Sequence, residues 1–478
     1  RRRMKIGAIS LGCDKNRVDT EKMLSRLVAG GHTIVGSEDE ADIIIVNTCA
    51  FIDETKAESI DEILSALAYK KKSQKKAGKM ADNQIHNEKD GLDSQIDSFN
   101  GLDSQKNSKD NRQTGKKVIV TGCLSERYLD ELIKEFPEVD AFLGVADYDE
   151  ILDTVQKISV GDKIYAAADG DNFYSGRVLT TPFHYAYLKI ADGCDNHCTY
   201  CAIPSIRGAY RSEKLADLMV EAKKLADDGV KELILVAQDV TRYGIDFDGK
   251  SHLIDLLNEL CKLDFEWIRL LYLEPEMVTD ELIDYVAKSP KVVKYMDIPL
   301  QHIADGVLKR MNRHTTFAST RALIQKVKDR GIAVRTSFIC GFPGESEQDF
   351  ENLKAFVKEA KIDFAGFFAY SREEGTPADR MDGHLDDKVK EARAAELREI
   401  QAQIIADKNK DYVGKTFKVL YDDINFDKQM FSGRAQFQAP DIDTVINFTA
   451  DKQVEIGNFY NVEIVTANGM ELIGRVVE

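Results

Sequence analysis

Long apolar runs are missing from this 478-residue chain: nowhere do hydrophobic residues approach the ~20 in succession that a membrane-spanning helix needs. Proline is sparse, nine in all and spread thinly, which excludes a proline-rich extended linker. A basic excess is missing too, with 65 basic against 82 acidic side chains and a net charge of −17. A domain that grips phosphates shows the opposite balance, so direct nucleic-acid binding is not expected, whereas a basic protein partner suits this surface. The opening Arg1-Arg2-Arg3-Met4-Lys5, ahead of the apolar 6–13, invites a signal-peptide reading. It fails because that stretch is at the short limit of an h-region, and because Ser10 precedes Leu11-Gly12-Cys13 where lipoprotein cleavage wants an aliphatic residue. Met4 is read as the start, the three arginines as an upstream extension, and the expected location as cytoplasmic, without membrane association.

What is present is the composition of a globular protein, 43% hydrophobic and 31% charged, with length for two or three domains. Strands are expected at 5–10, 41–47 and 117–121, with helices at 16–27, 58–68 and 127–136. Ile- and Val-rich strands that each precede a helix argue for a parallel sheet covered on both faces. Residues 70–116 interrupt this pattern with a Lys-, Asn-, Asp-, Ser- and Gln-rich tract that repeats Gly-Leu-Asp-Ser-Gln at 91–95 and 101–105. Such a tract buries too little surface to fold by itself and reads as a mobile insertion. From 185 to about 371 six further βα units are expected, with strands at 187–190, 232–237, 267–272, 295–300, 333–339 and 364–370. They suggest a barrel or partial barrel whose chemistry lies at the carboxyl ends of its strands. A long charged helix at 384–411 and a strand-rich tail from 414 follow, the tail resembling a small antiparallel barrel.

Eight cysteines remain, and in a cytosolic chain metal ligation is their expected use. Cys194, Cys198 and Cys201 form a C-x₃-C-x₂-C triplet just after a predicted strand. Three thiolates on one loop hold three irons of a cubane and leave the fourth open to a small chelating molecule. The competing reading is zinc, but zinc usually takes paired C-x₂-C units or a fourth protein ligand, and His197 would have to serve from inside the loop. Cys13, Cys49 and Cys123 each follow a strand of the first parallel sheet. Strand ends of that kind gather at one edge, so the three thiols could converge on a second three-ligand cluster; three buried structural thiols are the alternative. For Cys261 and Cys340 ordinary core packing is the better reading.

The triplet, with Tyr200 before its third cysteine and a βα barrel around it, resembles the radical S-adenosylmethionine superfamily. Ser10-Leu11-Gly12-Cys13-Asp14-Lys15-Asn16, Val46-Asn47-Thr48-Cys49 and Thr121-Gly122-Cys123-Leu124 are similar to the amino-terminal domain of methylthiotransferases. Lys189–Cys194, Ile203–Gly208 and Pro299-Leu300-Gln301-His302 resemble their radical domain, and the tail resembles their TRAM domain. The resemblance implies an α/β multidomain protein: a parallel α/β domain over 4–165, a partial TIM-like (β/α) barrel over 180–410 and a TRAM β-barrel over 411–478. The 70–116 insertion is foreign to the family. Where the family often carries Gly-Gly-Glu, this chain reads Ala237-Gln238-Asp239, so Gln238 or Asp239 would contact the amino group of S-adenosylmethionine. Tyr200 would lie near the adenine, and Arg335 and Ser337 would touch the cofactor. Arg207, Gln301 and His302 are weaker candidates, each with a structural alternative, and Gly341 and Gly344 are expected to make a tight turn close to a ligand.

Within the family, Ser-Leu-Gly-Cys-x-Lys-Asn at the first cysteine, the Gly433-Arg434-Ala435 and Ala439–Asp443 segments, and a tail with ten acidic against six basic side chains resemble the protein-modifying (RimO-type) branch. The tRNA-modifying (MiaB-type) branch is the alternative; a non-radical iron–sulfur electron carrier is a more distant one, since carriers usually close each cluster with a fourth thiolate. The resemblance implies two 4Fe-4S clusters, at Cys194/Cys198/Cys201 and at Cys13/Cys49/Cys123, and S-adenosylmethionine as both oxidant and methyl donor. A radical made at the first would take hydrogen from the β-carbon of an aspartate in small-subunit ribosomal protein S-twelve, and sulfur would come from the second. A low-potential electron donor is the other implied partner.

Overall fold

The computed structural model describes residues 3–89, 115–145, 147–166 and 176–478, which divide into two compact units, 1–178 and 179–478. The first unit runs β1 (Lys5–Ser10), α1 (Asp14–Ala29), β2 (Thr33–Ile34), β3 (Ile43–Thr48), α2 (Asp53–Lys89), β4 (Lys117–Gly122), α3 (Cys123–Arg127), α4 (Leu129–Glu135), β5 (Ala141–Leu143), α5 (Ile151–Ser159) and β6 (Ile164–Ala166). Its strands pair in parallel in the order β2-β1-β3-β4-β5-β6. Every residue of β3 is buried, as a central strand covered on both faces requires. Strand order reverses between β1 and β3, the place where open α/β sheets form a ligand crevice at their carboxyl edge.

Two expectations change here. The second helix does not stop near 68 but continues to Lys89, through the first part of the tract read as an insertion without structure. The Lys, Gln, Glu and Ala that make this stretch too polar for a core are good helix formers. The repeat at 91–95 and 101–105 lies outside the described residues. The helix expected at 127–136 is two helices, α3 and α4, separated by Tyr128, whose ψ of 36° breaks the run.

The second unit begins with β7 (Tyr185–Lys189), β8 (Ala191–Asp192), α6 (Ile203–Arg207), β9 (Arg211–Ser212), α7 (Leu215–Asp227), β10 (Glu232–Val236), α8 (Ile245–Asp248), α9 (Leu253–Leu260) and β11 (Trp267–Leu270). It continues with α10 (Asp280–Lys288), β12 (Tyr295–Asp297), α11 (Asp305–Arg310), α12 (Phe317–Asp329), β13 (Ala333–Cys340), α13 (Glu347–Ala360), β14 (Phe364–Ala369) and α14 (Asp387–Lys410). Parallel ladders join β7-β10-β11 and β12-β13-β14. The two halves meet where Leu273 donates to Asp297 O (2.8 Å) and Val293 to Ile268 O (3.0 Å). Among the described residues no ladder joins β14 back to β7, so the six strands form an open arc, the partial barrel expected. Apolar faces of α7, α9, α10, α12, α13 and α14 cover its outside in one continuous core.

Residues after α14 close a five-stranded barrel from β15 (Thr416–Asn425), β16 (Met430–Ala435), β17 (Ile446–Thr449), β18 (Phe459–Asn468) and β19 (Glu471–Val477), in the order β15-β16-β17-β19-β18. All pairs are antiparallel except β17–β19, where the long 450–458 connection reverses the chain direction. This small barrel seats on the amino ends of the arc through buried charge. Arg434, fully enclosed, pairs with Glu232 at the start of β10 (2.7 Å) and with Asp422 (2.7 Å); Glu232 also holds Arg269 of β11 (2.6 Å). His184 Nε2 joins Asp422 at 2.8 Å. Arg335 of β13 bridges Asp297 (3.1 Å) and Asp443 of the tail (3.5 Å), and Tyr295 donates to Asp443 at 2.7 Å.

Candidate functional site

In the first unit, one buried amide ties three cysteine loops together. Asn16, on the first turn of α1, donates from Nδ2 to Leu11 O (3.1 Å) and Thr48 O (2.9 Å), the residues flanking Cys13 and Cys49, and its Oδ1 lies 3.7 Å from Cys123 Sγ. Asn47 locks Asn16 in turn, donating to its carbonyl (2.9 Å) and to Thr20 Oγ1 (2.9 Å). Ser59 of α2 receives the Cys49 N–H (2.9 Å) and returns a bond to its carbonyl (3.0 Å), fixing the loop after β3. Gly12 adopts φ +81°, and a Cβ there would lie 2.6 Å from Cys49 Cβ and Sγ. The approach of the Cys13 and Cys49 loops therefore requires glycine. The loops that carry Cys13, Cys49 and Cys123 thus share the Asn16 side chain beside the strand-order reversal. Burial pushes the Cys49 thiol up, and the neighbouring Cys13 adds to the shift.

In the second unit the Cys194–Cys201 loop leaves the carboxyl end of the first barrel strand. Asp192 begins it, held between Lys189 (2.8 Å) and Arg207 (2.9 Å); burial opposes its charge, but the two cations hold its carboxyl far below the usual range. Arg207, one of the weaker candidates, is buried and spends itself on Asp192. Cys194 N–H donates to Gly208 O at 3.1 Å, and Gly193 at φ +73° leaves no room for a Cβ against the Ala209 carbonyl. The end of α11 clamps the far side: Thr199 N–H donates to Met311 O (3.1 Å), Thr199 Oγ1 to Arg310 O (2.8 Å), and Asn312 Nδ2 to His197 O (3.1 Å). His197 is exposed at φ +49°, a polar loop residue.

All eight cysteines are thiols. Among the described residues no three His, Cys, Asp or Glu side chains are grouped so as to hold a single metal ion. A cubane asks for something else, one thiolate on each of three irons, and both three-cysteine sets have that donor chemistry. Cys340 closes β13 wholly inside the core, where burial lifts its thiol to about 12, and Cys261 caps α9 against Tyr285 and Ser289.

Around the Cys194 loop the remaining candidates separate. Gln238 Oε1 is buried and finds no donor among the described residues. Asp239 is spent on its own turn and on the cysteine loop, accepting from Thr241 N (3.0 Å) and Asn196 Nδ2 (3.3 Å); burial raises its carboxyl and these bonds oppose the shift. Tyr200 packs edge-on to Phe342 (6.4 Å), in an apolar group with Met311, Ile339 and Tyr370. Along β13 exposure alternates, placing Arg335, Ser337 and Ile339 on one face; Ile339 joins the Tyr200 group. Ser337 is thus near the loop, whereas Arg335 lies toward the amino end of the strand and is engaged by two carboxylates. Gln301 sits at φ +66° with its backbone bonded on both sides to β13, through Ser337 O and Ile339 N (2.8 Å each). His302 is fully buried: its Nδ1 accepts from Ala304 N (3.0 Å) and its Nε2 faces Glu345 at 3.4 Å. Gly341 and Gly344, at φ +74° and +86°, do make the expected tight turn, closed by Glu345 accepting from Gly341 N (2.6 Å). Their close neighbours are the Lys390 and Arg310 side chains.

Two residues escaped the sequence reading altogether. Arg313, just beyond α11, places Nη1 3.8 Å from Cys198 Sγ and is held by Glu274, with Nη1 at 2.9 Å from one carboxylate oxygen and Nη2 at 2.7 Å from the other. Burial pushes Glu274 up to about 7, with Arg313 opposing the shift. A lone Arg and a lone Glu, 39 residues apart, carry no local signal; only the fold pairs them.

Residues 188–357 match the Radical SAM superfamily, 5–84 the Uncharacterized protein family UPF0004 and 413–477 the TRAM domain. Over 482 residues, spanning 100% of this chain and 99% of the relative, the sequence is 43% identical to the ribosomal protein uS12 methylthiotransferase RimO of Clostridium tetani. It is 42% identical to the protein of the same name from Thermoanaerobacter sp., over 98% of this chain and 99% of the other. Among solved structures, the radical S-adenosylmethionine methyltransferase TsrM of Kitasatospora setae, solved with cobalamin and a 4Fe-4S cluster bound, superposes with a TM-score of 0.54 at 14% identity, covering 79% of this chain and 77% of that one. That likeness is one of fold.

Proposed function

The chain belongs to the RimO family of ribosomal protein uS12 methylthiotransferases, and from that premise we propose how its residues divide the work. It is a radical S-adenosylmethionine enzyme that transfers a methylthio group to uS12, and we assign the acceptor as the β-carbon of an aspartate. Cys194, Cys198 and Cys201 hold the 4Fe-4S cluster that the superfamily implies, and Cys13, Cys49 and Cys123 hold a second. When bound, these groups together with S-adenosylmethionine supply one-electron cleavage of the sulfonium, the sulfur to be transferred and the methyl that accompanies it.

The protein's own part is placement. Gln238, with its open buried acceptor, takes the amine of S-adenosylmethionine, and the Ser337 hydroxyl on the loop-facing side of β13 gives a second polar contact. Asp239 acts one step back by holding Asn196 in the cysteine loop. The apolar group of Tyr200, Ile339, Phe342 and Tyr370 keeps water from the reacting carbon, and Tyr200 offers the adenine an aromatic edge. Asn16 keeps three thiols of the first unit at one place. The reaction is placed in the cytoplasm with a low-potential donor supplying the electron; among the described residues no helix is long and apolar enough to cross a membrane.

The observation that carries the reading is the three-thiol loop at the open end of the barrel, in a chain 43% identical to a uS12 methylthiotransferase over its whole length. Mass spectrometry of uS12 and of tRNA from a strain lacking the gene tests it. A methylthio mass gain on the uS12 aspartate should vanish, return with the intact gene, and fail to return with Cys198→Ala. Unmodified uS12 alongside a gene-dependent gain on tRNA would overturn the substrate assignment.

A further inference from the structure

Arg313 has little freedom. Both Nη atoms engage Glu274, at 2.9 and 2.7 Å, and Nη2 also donates to Pro299 O at 2.9 Å. The direction left to Nη1 is toward Cys198 Sγ, 3.8 Å away. The residue is only 6% exposed, so water does little to screen its charge. We propose that Arg313, anchored by Glu274, sets the reduction potential of the cluster held by Cys194, Cys198 and Cys201 by fixing a positive charge against the Cys198 sulfur. This rests on the assignment of that cluster above.

The physical case is short. Reduction adds a negative charge to an anionic centre, and hydrogen bonds to the sulfurs and nearby net charge are what tune such centres. Asp239 and Glu274, both near Cys194, are carboxylates, which disfavour added negative charge; Arg242 also reaches the loop, donating to Asn196 Oδ1 at 3.1 Å. Arg313 opposes these carboxylates with Nη1 3.8 Å from the Cys198 sulfur. An arginine suits the task better than a lysine, because its planar fork is held by two carboxylate oxygens while a third N–H is aimed elsewhere. Glu274 is then a positioning residue that acts through Arg313. Without it the fork would be held by a single carbonyl and could turn from the sulfur.

The experiment uses the full chain with Cys13, Cys49 and Cys123 replaced by Ala, so that one cluster gives the signal. Potentiometric titration followed by electron paramagnetic resonance is compared for this parent, Arg313→Gln and Arg313→Lys, with iron content and S-adenosylmethionine affinity measured alongside. Arg313→Gln should load iron fully and titrate at a more negative potential, with Arg313→Lys between it and the parent. Full iron at an unchanged potential in Arg313→Gln overturns the proposal, and a loss of S-adenosylmethionine affinity alone would make Arg313 a cofactor ligand instead. Should Arg313→Gln fail to load, Arg313→Lys titrating with the parent overturns the claim for the anchored fork. A parent without iron overturns the cluster assignment and the proposal with it, a result distinct from iron bound at an unchanged potential.

Discussion

Asn16 links all three cysteine loops of the first unit, because its amide satisfies the Leu11 and Thr48 carbonyls and faces Cys123. Replacing it by Ala removes the partner of Leu11 O and strands the buried Thr48 O, the latter at a cost of about 1–3 kcal/mol. The expected result for Asn16→Ala is a lowered unfolding midpoint and loss of the iron assigned to Cys13, Cys49 and Cys123, with the Cys194 loop still loaded. Iron analysis in a Cys198→Ala background separates the two sites, and undiminished iron there would refute the keystone role. Asn16 closes the first cysteine motif, but nothing in that motif announces what its amide does. An Asn on the first turn of a helix reads as ordinary end chemistry, and its partners lie 5, 32 and 107 positions away. The cysteines themselves were legible, since each follows an Ile- and Val-rich strand and parallel strands end together.

At the scale of elements, turns decide where the thiols sit. A side chain at Gly193 would meet the Ala209 carbonyl and would have to hold φ +73°. Gly193→Ala should therefore shift the Cys194 loop off its Gly208 anchor and lower iron loading at this site several-fold, while the urea midpoint moves little. The seam between β13 and the tail carries a pH dependence. Burial pushes Asp443 up to about 6, with Arg335 and Tyr295 opposing. A folded-state value above the ordinary ~3.9 means that folding takes up a proton between those two pH values. This contribution to stability is present below ~4 and is lost as pH rises through about 6. Asp443→Asn should flatten that part of the stability–pH curve, as followed by urea unfolding from pH 4 to 7. The parallel first sheet, the strands of the six βα units and the partial barrel were visible as periodicity. The parallel β17–β19 pair was not, because alternation marks a strand without giving its direction. The reach of α2 was missed for a different reason: a polar tract without an apolar stripe still forms helix when its residues favour one.

Over the whole molecule, the second unit behaves as one body because its small barrel and its open arc share buried ion pairs. Arg434 is the centre of that seam, touching Glu232 and Asp422. Removing one partner of a buried pair costs about 3–5 kcal/mol, since the charges left behind stay desolvated. Arg434→Gln should lower the thermal midpoint of the full chain, an effect that calorimetry reads directly; a midpoint within a degree of the wild type would argue that the seam is idle. The tail domain was legible as a separate barrel, but its attachment was not. Gly433-Arg434-Ala435 looks like a surface hairpin until Glu232, two hundred residues earlier, is seen to need it.

That need has a consequence for synthesis. Glu232 and Arg269 leave the ribosome long before Arg434, and Arg335 long before Asp443. Until about the last seventh of the polypeptide emerges, the lower rim of the arc carries charges awaiting their counterparts, so the nascent chain stays exposed at that end while translation continues. A ribosome that stalls after α14 would release a protein already holding every cysteine and still lacking the piece that completes its rim.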